Sequence, residues 1–171
     1  LDSLERRLEE DGFSGNAFVM QSNGGIASMA AARRNPITMV ESGPASGVLG
    51  AVALGQLIDE PNIIALDIGG TTAKCSLIEN AQVRLTTDYR IDWSRTKAGY
   101  PIKTPVVDIV EIGNGGGSIA WIDQGGKLHV GPESAGAVPG PAAYGRGGTE
   151  PTTTDAHLIT RRIDEEYFLG G

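Results

Sequence analysis

Residues Asn62-Ile-Ile-Ala-Leu-Asp67-Ile-Gly69-Gly70-Thr71-Thr72-Ala-Lys74-Cys-Ser-Leu-Ile78 decide how the chain is read. A mostly apolar run enters an aspartate and two glycines. Two threonines then lead into a second mostly apolar run that ends at the turn pair Glu79-Asn80. The pattern predicts a buried strand, a tight glycine turn and a returning strand. The turn has a carboxylate at its entry, hydroxyls at its exit and almost no side chain between. Glycines let backbone N–H groups face a bound anion at close range, because nothing projects into the gap. An aspartate beside such a loop suits phosphate only where a divalent cation lies between them. The combination suggests a metal-bound nucleotide phosphate, while an ordinary hairpin whose glycines serve only the turn fits the same residues.

Upstream, Leu1, Leu4 and Leu8 fall on one helical stripe that Asp11-Gly12 closes. Ala17 to Met20 predicts a short strand ended by the turn Ser22-Asn-Gly-Gly25, and Ser28 to Arg34 a short helix stopped by Asn35-Pro36. Ile37 to Val40 predicts a further strand. Glu41 to Gly47 then leads into a small-residue helix over Val48 to Leu57, with Ser42 as its candidate N-cap and Pro44 suited to the first turn. A helix start rich in Ser and Gly can hold an anion. The glycines are read instead as a thin packing face made by Gly47, Gly50 and Gly55.

Downstream, Gln82 to Tyr89 alternates polar and apolar and predicts a third strand. Residues 92–104 predict a loop holding Trp93, Arg95, Lys97, Tyr100 and Lys103. Val106 to Ile112 predicts a strand that discharges into Gly113-Asn-Gly115-Gly116-Gly117-Ser118. This is a second phosphate-type loop, although no Gly-Lys-Ser/Thr follows it as a Walker sequence would require; a flexible bend at a sheet edge is the alternative. Ile119–Ile122 and Lys127–Val130 form a hairpin about Asp123 to Gly126. Residues 131–151 predict one long loop with Glu133, Tyr144, Arg146 and Glu150 as its chemical groups, and long loops inside compact domains usually serve function. Thr152 to Asp155 caps a last helix through Arg162, with Asp155 read first as a cap.

The composition bounds these readings. With 40% hydrophobic and 20% charged residues the chain is globular, and 171 residues suffice for a single domain, 1–171, or a fragment of a longer protein. A start at Leu1 and an end at Gly170-Gly171 favour the fragment. A net charge of −7 argues against nucleic acid as the main partner. The lone Cys75 excludes an intrachain disulfide and fits a reducing, cytoplasmic setting, with the thiol read as a small core residue. No apolar stretch is long enough for a transmembrane helix. His129 and His157 have no metal-ligand partner at useful spacing.

Asp67-x-Gly69-Gly70-Thr71-Thr72 behind an apolar strand resembles a phosphate motif of the actin-like ATPases. Val19 to Gly25, Ser42 to Ala45, Asp67 to Thr72, Gly113 to Trp121, and Val130 to Gly136 running through Tyr144-Gly-Arg-Gly-Gly148 to Asp155-Ala156 occur in order. Together they resemble the central domain of the hydantoinase A/5-oxoprolinase family. The resemblance implies an α/β, ribonuclease-H-like/actin-like ATPase domain, with a mixed sheet flanked by helices plus a Gly/Pro-rich loop region. It implies ATP and Mg2+ as cofactors, and ATP-dependent opening of a cyclic amide of hydantoin or 5-oxoproline type by phosphoryl activation of the ring carbonyl. A subunit of an ATP-dependent ketone carboxylase, or a nucleotide-binding regulator or scaffold without turnover, is the alternative.

In the implied site Asp67 is the catalytic group and magnesium contact, and Gly69, Gly70, Thr71 and Thr72 hold phosphate; Lys74 can approach a phosphate, but on a returning strand whose residues alternate faces it can equally be solvated. Gly115, Gly116, Gly117 and Ser118 line the nucleotide or substrate side, and Glu133, Tyr144 and Asp155 are the candidates for substrate contact. Two positions depart from the family pattern: Lys74 stands where many members have aspartate, and Ala143 where many have cysteine before the tyrosine. The implied partners are a small cyclic amide, further domains of the parent chain and a second hydantoinase-type subunit. This chain supplies one half of the nucleotide cleft, and alone it is expected to be inactive.

Overall fold

A computed structural model describes residues 1–92 and 97–168. Trp93 and Arg95 of the expected loop lie outside the described residues. The architecture is mixed α/β, with α-helices among small sheets, and every pairing with a described register is antiparallel. The expected mixed sheet is thus corrected. The first two strands of the expected sheet, Ile63–Ile68 and Ala73–Glu79, are joined by a turn of four residues, too short for the crossover that a parallel pair requires. The chain divides into two compact units, residues 1–65 with 76–109 and residues 66–75 with 110–171.

In the first unit, helix α1 (Asp2–Glu10) has no buried residue, and Leu4 on its apolar stripe is exposed. An Arg33 guanidinium nitrogen reaches α1, 2.7 Å from Asp2 and 2.5 Å from Glu5. Strands β1 (Phe18–Met20) and β2 (Ile26–Ser28) form a hairpin. Helix α2 (Met29–Arg34) follows, with Ser28 Oγ accepting from the Ala31 amide. Where a strand was expected at Ile37–Val40, Pro36–Met39 is a 3-10 turn. Pro36 fixes its own φ in the helical range, and both the amide and hydroxyl of Thr38 donate back to the Asn35 carbonyl.

Helix α3 (Ser42–Leu57) starts six residues before the expected Val48. Pro44 is accommodated because amides of the first turn have no intrahelical acceptor. Ser42 is not the cap; it is the first helical residue, and Glu41 occupies the cap position without a side-chain capping bond. The buried Glu41 carboxylate accepts from the Tyr89 hydroxyl. The expected thin glycine face reduces to one residue. A Cβ at Gly55 would lie 2.6 Å from the Glu60 carbonyl oxygen and against Ile63, whereas Gly47 and Gly50 face open space. Ala45 and Val48 of α3 join Ile78 and Val107 in the buried core, with Ala51, Val52, Ile63, Ala65 and Val83 around them.

Strands β3 (Ile63–Ile68) and β4 (Ala73–Glu79) are the strand–turn–strand read from the sequence, and β5 (Gln82–Val83) pairs with the end of β4. The expected burial of β3 is corrected: Ile64, Leu66 and Ile68 are 69%, 61% and 62% exposed. Alternation sends Ile63 and Ala65 to the core and their neighbours the other way. The expected third strand is broken. β5 stays on β4, while β6 (Leu85–Thr86) and β7 (Tyr89–Ile91) pair with β9 (Val106–Val107) and β8 (Tyr100–Ile102). Between β6 and β7 the Asp88 amide turns back onto Thr86 Oγ1. Likewise the strand expected over 106–112 is two. At Asp108 the chain leaves the ladder, its amide donating to the Arg84 carbonyl and its carbonyl accepting from Ser76 Oγ.

The second unit holds the β3–β4 tip and β10 (Val110–Ile112), which pairs with β4 as Val110–Cys75, Glu111–Lys74 and Ile112–Ala73. Strands β11 (Ser118–Ile122) and β12 (Leu128–Ser134) form the expected hairpin, and β12 extends into the expected long loop as far as Ser134. Trp121 stacks on His129 at 4.5 Å, and His129 Nε2 lies 2.7 Å from Asp123 Oδ2. The last helix, α4 (Thr153–Ile159), ends before the expected Arg162, with Arg161 in a left-handed conformation. Among the described residues no helix is long and apolar enough to cross a membrane.

Candidate functional site

The second unit brings together the two glycine loops, the start of α4 and the Asp67–Lys74 end of the β3–β4 hairpin. The Gly69 amide donates to the Thr72 carbonyl at 2.9 Å and closes the turn. Lys74 pairs with Glu111 across β4 and β10, with Lys74 Nζ 3.8 Å from Glu111 Oε1.

Gly69 and Gly70 are not required by the turn. Neither has a positive φ. A Cβ at Gly69 would come no nearer than 3.7 Å to the Thr72 carbonyl oxygen, and one at Gly70 would meet nothing within 4 Å. Among the described residues, the amides of Gly70, Thr71 and Thr72 donate to no protein group. Three adjacent unpaired N–H groups beside an exposed aspartate are an anion-binding geometry.

The second loop differs. Gly115 donates to Ser118 Oγ at 2.8 Å, Gly116 to the Gly69 carbonyl at 3.0 Å, Gly117 to the Gly70 carbonyl at 2.6 Å, and Ser118 to the Gly115 carbonyl at 3.1 Å. All four amides are engaged. A Cβ at Gly115 would lie 2.6 Å from the Gly69 oxygen and 2.7 Å from the Thr71 nitrogen, so glycine here permits loop-on-loop contact. The contact also aims the first loop. A trans peptide points its C=O and N–H in opposite directions. Tying down the carbonyls of Gly69 and Gly70 therefore turns the amides of Gly70 and Thr71 away from the second loop.

Other expected site residues are placed differently. Asp155 closes a capping box on Thr152: Oδ2 accepts from the Thr152 amide and hydroxyl at 2.8 Å each, and Oδ1 from the Ala143 amide at 2.7 Å. Burial would raise its pKa, but the Ala143 and Thr152 hydrogen bonds outweigh this and hold the carboxyl below its ordinary range. Tyr144 packs at 5.9 Å from the Phe168 ring, with the Arg146 guanidinium 5.8 Å from its centre. A cavity of about 220 Å³ lies beside them, lined also by Leu158 and Glu165. Glu133 is exposed on β12. Sequence reading missed Glu111 and Thr154. Thr154 sits in a Thr-Thr-Thr-Asp run whose capping signal conceals a second role, since its amide and hydroxyl both donate to the Gly116 carbonyl at 2.8 Å.

The site is a loop with three unpaired amides braced by a second glycine loop, and comparison with known proteins places the chain in a family. Residues 1–171 match the Hydantoinase/oxoprolinase family, and the chain belongs to it. It is 37% identical over 171 residues to caprolactamase subunit alpha of Pseudomonas jessenii, covering 100% of this chain and 24% of that protein. The solved ATP-dependent caprolactamase from that organism superposes with a TM-score of 0.74 at 34% identity, over 99% of this chain and 24% of that one. 5-oxoprolinase 1 of Arabidopsis thaliana is 36% identical over 98% of this chain and 12% of its own length. The nucleotide-free structure of acetone carboxylase, titled for ATP-dependent acetone carboxylation, superposes with a TM-score of 0.82 at 28% identity, over 99% of this chain and 23% of that one. This chain thus spans a quarter or less of each of these relatives.

Proposed function

We propose that this chain is the phosphate-binding part of an ATP-dependent enzyme that opens a cyclic amide, and that the loop Asp67–Thr72 receives the nucleotide's phosphates. The observation that carries the reading is the set of three unpaired amides at Gly70, Thr71 and Thr72, next to glycines that neither backbone conformation nor packing requires. Names of family relatives, among them a caprolactamase and a 5-oxoprolinase, support the substrate class. The strand–turn–strand with its aspartate supports an actin-like ATPase half-site, completed by other domains of the parent chain and a second subunit. The single, half-buried Cys75 suits a reducing cytoplasm.

The residues present fit magnesium bound mainly through phosphate oxygens and water. Among the described residues no cluster of three or more metal-ligating side chains forms, and Asp67 is a lone carboxylate of the kind such a hydrated ion uses. When bound, magnesium–ATP supplies the phosphoryl group that activates the amide oxygen, so that water can open the ring. The chain's own residues position and neutralise charge. The amides of Gly70, Thr71 and Thr72 hold phosphate oxygens, Asp67 orients the hydrated cation or the attacked group, and Lys74 offsets the charge of Glu111. The Gly115–Ser118 loop holds the first loop in shape and lines its nucleotide side. Glu133 and Tyr144 are the substrate-side candidates, and Asp155 supports them through its bond to the Ala143 amide.

A second reading, a subunit of an ATP-dependent ketone carboxylase, draws on the 0.82 TM-score with acetone carboxylase. ATP turnover by the full-length protein, screened with hydantoin, 5-oxoproline, a simple lactam, and ketones plus bicarbonate, separates the two. Stimulation by a ring amide, abolished by Asp67→Ala, is the expected result. Stimulation only by ketone and bicarbonate would move the assignment to the second reading, and unchanged turnover in Asp67→Ala would overturn the site.

A further inference from the structure

We propose that Thr154 is a positioning residue for the phosphate loop, acting through two peptide groups in series; the proposal rests on the nucleotide reading above. The Thr154 side chain is 5% exposed, and its amide and Oγ1 both donate to the Gly116 carbonyl at 2.8 Å. That carbonyl belongs to the Gly116–Gly117 peptide, whose N–H donates to the Gly70 carbonyl at 2.6 Å. The Gly70 carbonyl in turn belongs to the Gly70–Thr71 peptide, whose N–H is one of the three unpaired amides. Two planar trans peptides therefore link Thr154 to the Thr71 N–H, each accepting at oxygen and donating from nitrogen. Hydrogen bonds in such a chain polarise one another, so the two donors from Thr154 make the Thr71 amide a stronger donor as well as fixing its direction.

Neighbouring contacts point the same way. The Gly116 amide holds the Gly69 carbonyl at 3.0 Å and so orients the Gly70 amide. The Gly117 carbonyl accepts from the Ala135 amide at 2.8 Å, which anchors the second loop to the residue after β12. A Cβ on Gly116 would lie 2.9 Å from Thr154 Oγ1, so the hydroxyl approaches at a distance only glycine permits. Thr154 is not needed for the helix cap, because Thr152 and Asp155 form the capping box themselves. What its hydroxyl adds is the hold on Gly116.

The test uses the full-length protein with Thr154→Val, which keeps the shape and removes the hydroxyl, and Thr154→Ser, which keeps the hydroxyl. Magnesium–ATP affinity is measured by calorimetric titration, and hydrogen exchange is followed by mass spectrometry in a peptide covering 66–77. Thr154→Val is expected to weaken magnesium–ATP about tenfold and to speed exchange in that peptide, while Thr154→Ser stays within about twofold of wild type. A mere packing role would not separate serine from valine in this direction, since serine is the smaller residue. If Thr154→Val fails to fold, Thr154→Ala against Thr154→Ser makes the same comparison. Wild-type affinity and exchange in the hydroxyl-free variant, with Gly70→Ala still losing nucleotide, would overturn the role of Thr154 and leave the phosphate site standing. Absence of magnesium–ATP binding to wild type would overturn both.

Discussion

A methyl group on Gly115 and one on Gly70 should have opposite consequences, although both glycines lie in glycine loops. At Gly115 the added Cβ would sit 2.6 Å from the Gly69 oxygen, 2.7 Å from the Thr71 nitrogen and 2.8 Å from the Gly70 carbonyl carbon, all backbone atoms without a flexible end to swing aside. Restoring a 3.4 Å contact requires the loops to part by 0.8 Å (3.4 − 2.6). That displacement would stretch the Gly116–Gly69 and Gly117–Gly70 hydrogen bonds from 3.0 and 2.6 Å. Overpacking costs about 1–3 kcal/mol and one lost hydrogen bond about 1 kcal/mol, so Gly115→Ala should destabilise by about 2–4 kcal/mol. At Gly70 the Cβ meets nothing within 4 Å, so stability should change by less than about 0.5 kcal/mol. That methyl would instead project beside the unpaired amides and weaken magnesium–ATP by about tenfold or more. Urea unfolding followed by circular dichroism, with calorimetric titration on the full-length protein, reads both effects. With a slope of about 2 kcal/mol/M, Gly115→Ala should lower the midpoint by about 1–2 M. An unshifted midpoint for Gly115→Ala, or a comparable loss for Gly70→Ala, would refute the division of labour between the loops.

Gly50→Ala, in the exposed interior of α3 with open space around it, should raise stability by about 0.5–1 kcal/mol, whereas Gly55→Ala, against the Glu60 carbonyl and Ile63, should lower it by about 1–3 kcal/mol; thermal melts of the 171-residue chain check both. Asp155→Ala removes a capping carboxylate whose folded pKa is depressed. Its stabilisation is present above the ordinary carboxylate range and lost as pH falls through the folded value, so the gap of about 1 kcal/mol at pH 7 should close below about pH 4 in urea titrations. The Asp123 carboxyl is held low first by the His129 hydrogen bond and then by the Lys127 and Gly125 amides. His129→Ala should therefore raise the Asp123 pKa toward its ordinary value in a carbon-detected NMR titration, with no upward movement counting against the pairing.

The β3–turn–β4 unit was legible in the sequence because its apolar runs, glycines and turn pair give local signals that agree with one another. The same holds for the β11–β12 hairpin and for the Thr152 cap of α4. Misreadings arose where long-range pairing overrode local pattern. Gln82–Tyr89 alternates like one strand, yet its parts pair with β4, β9 and β8, and no periodicity announces that partition. The Val106–Ile112 run has the β-branched composition of one strand but is divided by the bonds that Asp108 makes to Arg84 and Ser76. Ile37–Val40 has strand composition, but Pro36 and the donation from Thr38 to Asn35 turn it into a helical loop. In the proposed site, Asp67 and the glycines of the first loop were legible as candidates because their residue types are chemically particular. The role of the second loop was not, since a glycine that admits a ligand and one that admits another backbone are the same letter. Only the paired amides of Gly115 to Ser118, against the unpaired ones of Gly70 to Thr72, tell them apart.

The proposed function stands on phosphate binding by the Asp67–Thr72 loop. Its most direct test is a crystal structure of the full-length protein with magnesium and a non-hydrolysable ATP analogue. Phosphate oxygens are expected at about 2.7–3.2 Å from the amides of Gly70, Thr71 and Thr72, with the Gly116 and Gly117 amides still bound to the Gly69 and Gly70 carbonyls. Phosphates seated elsewhere, with those three amides turned to solvent, would contradict it.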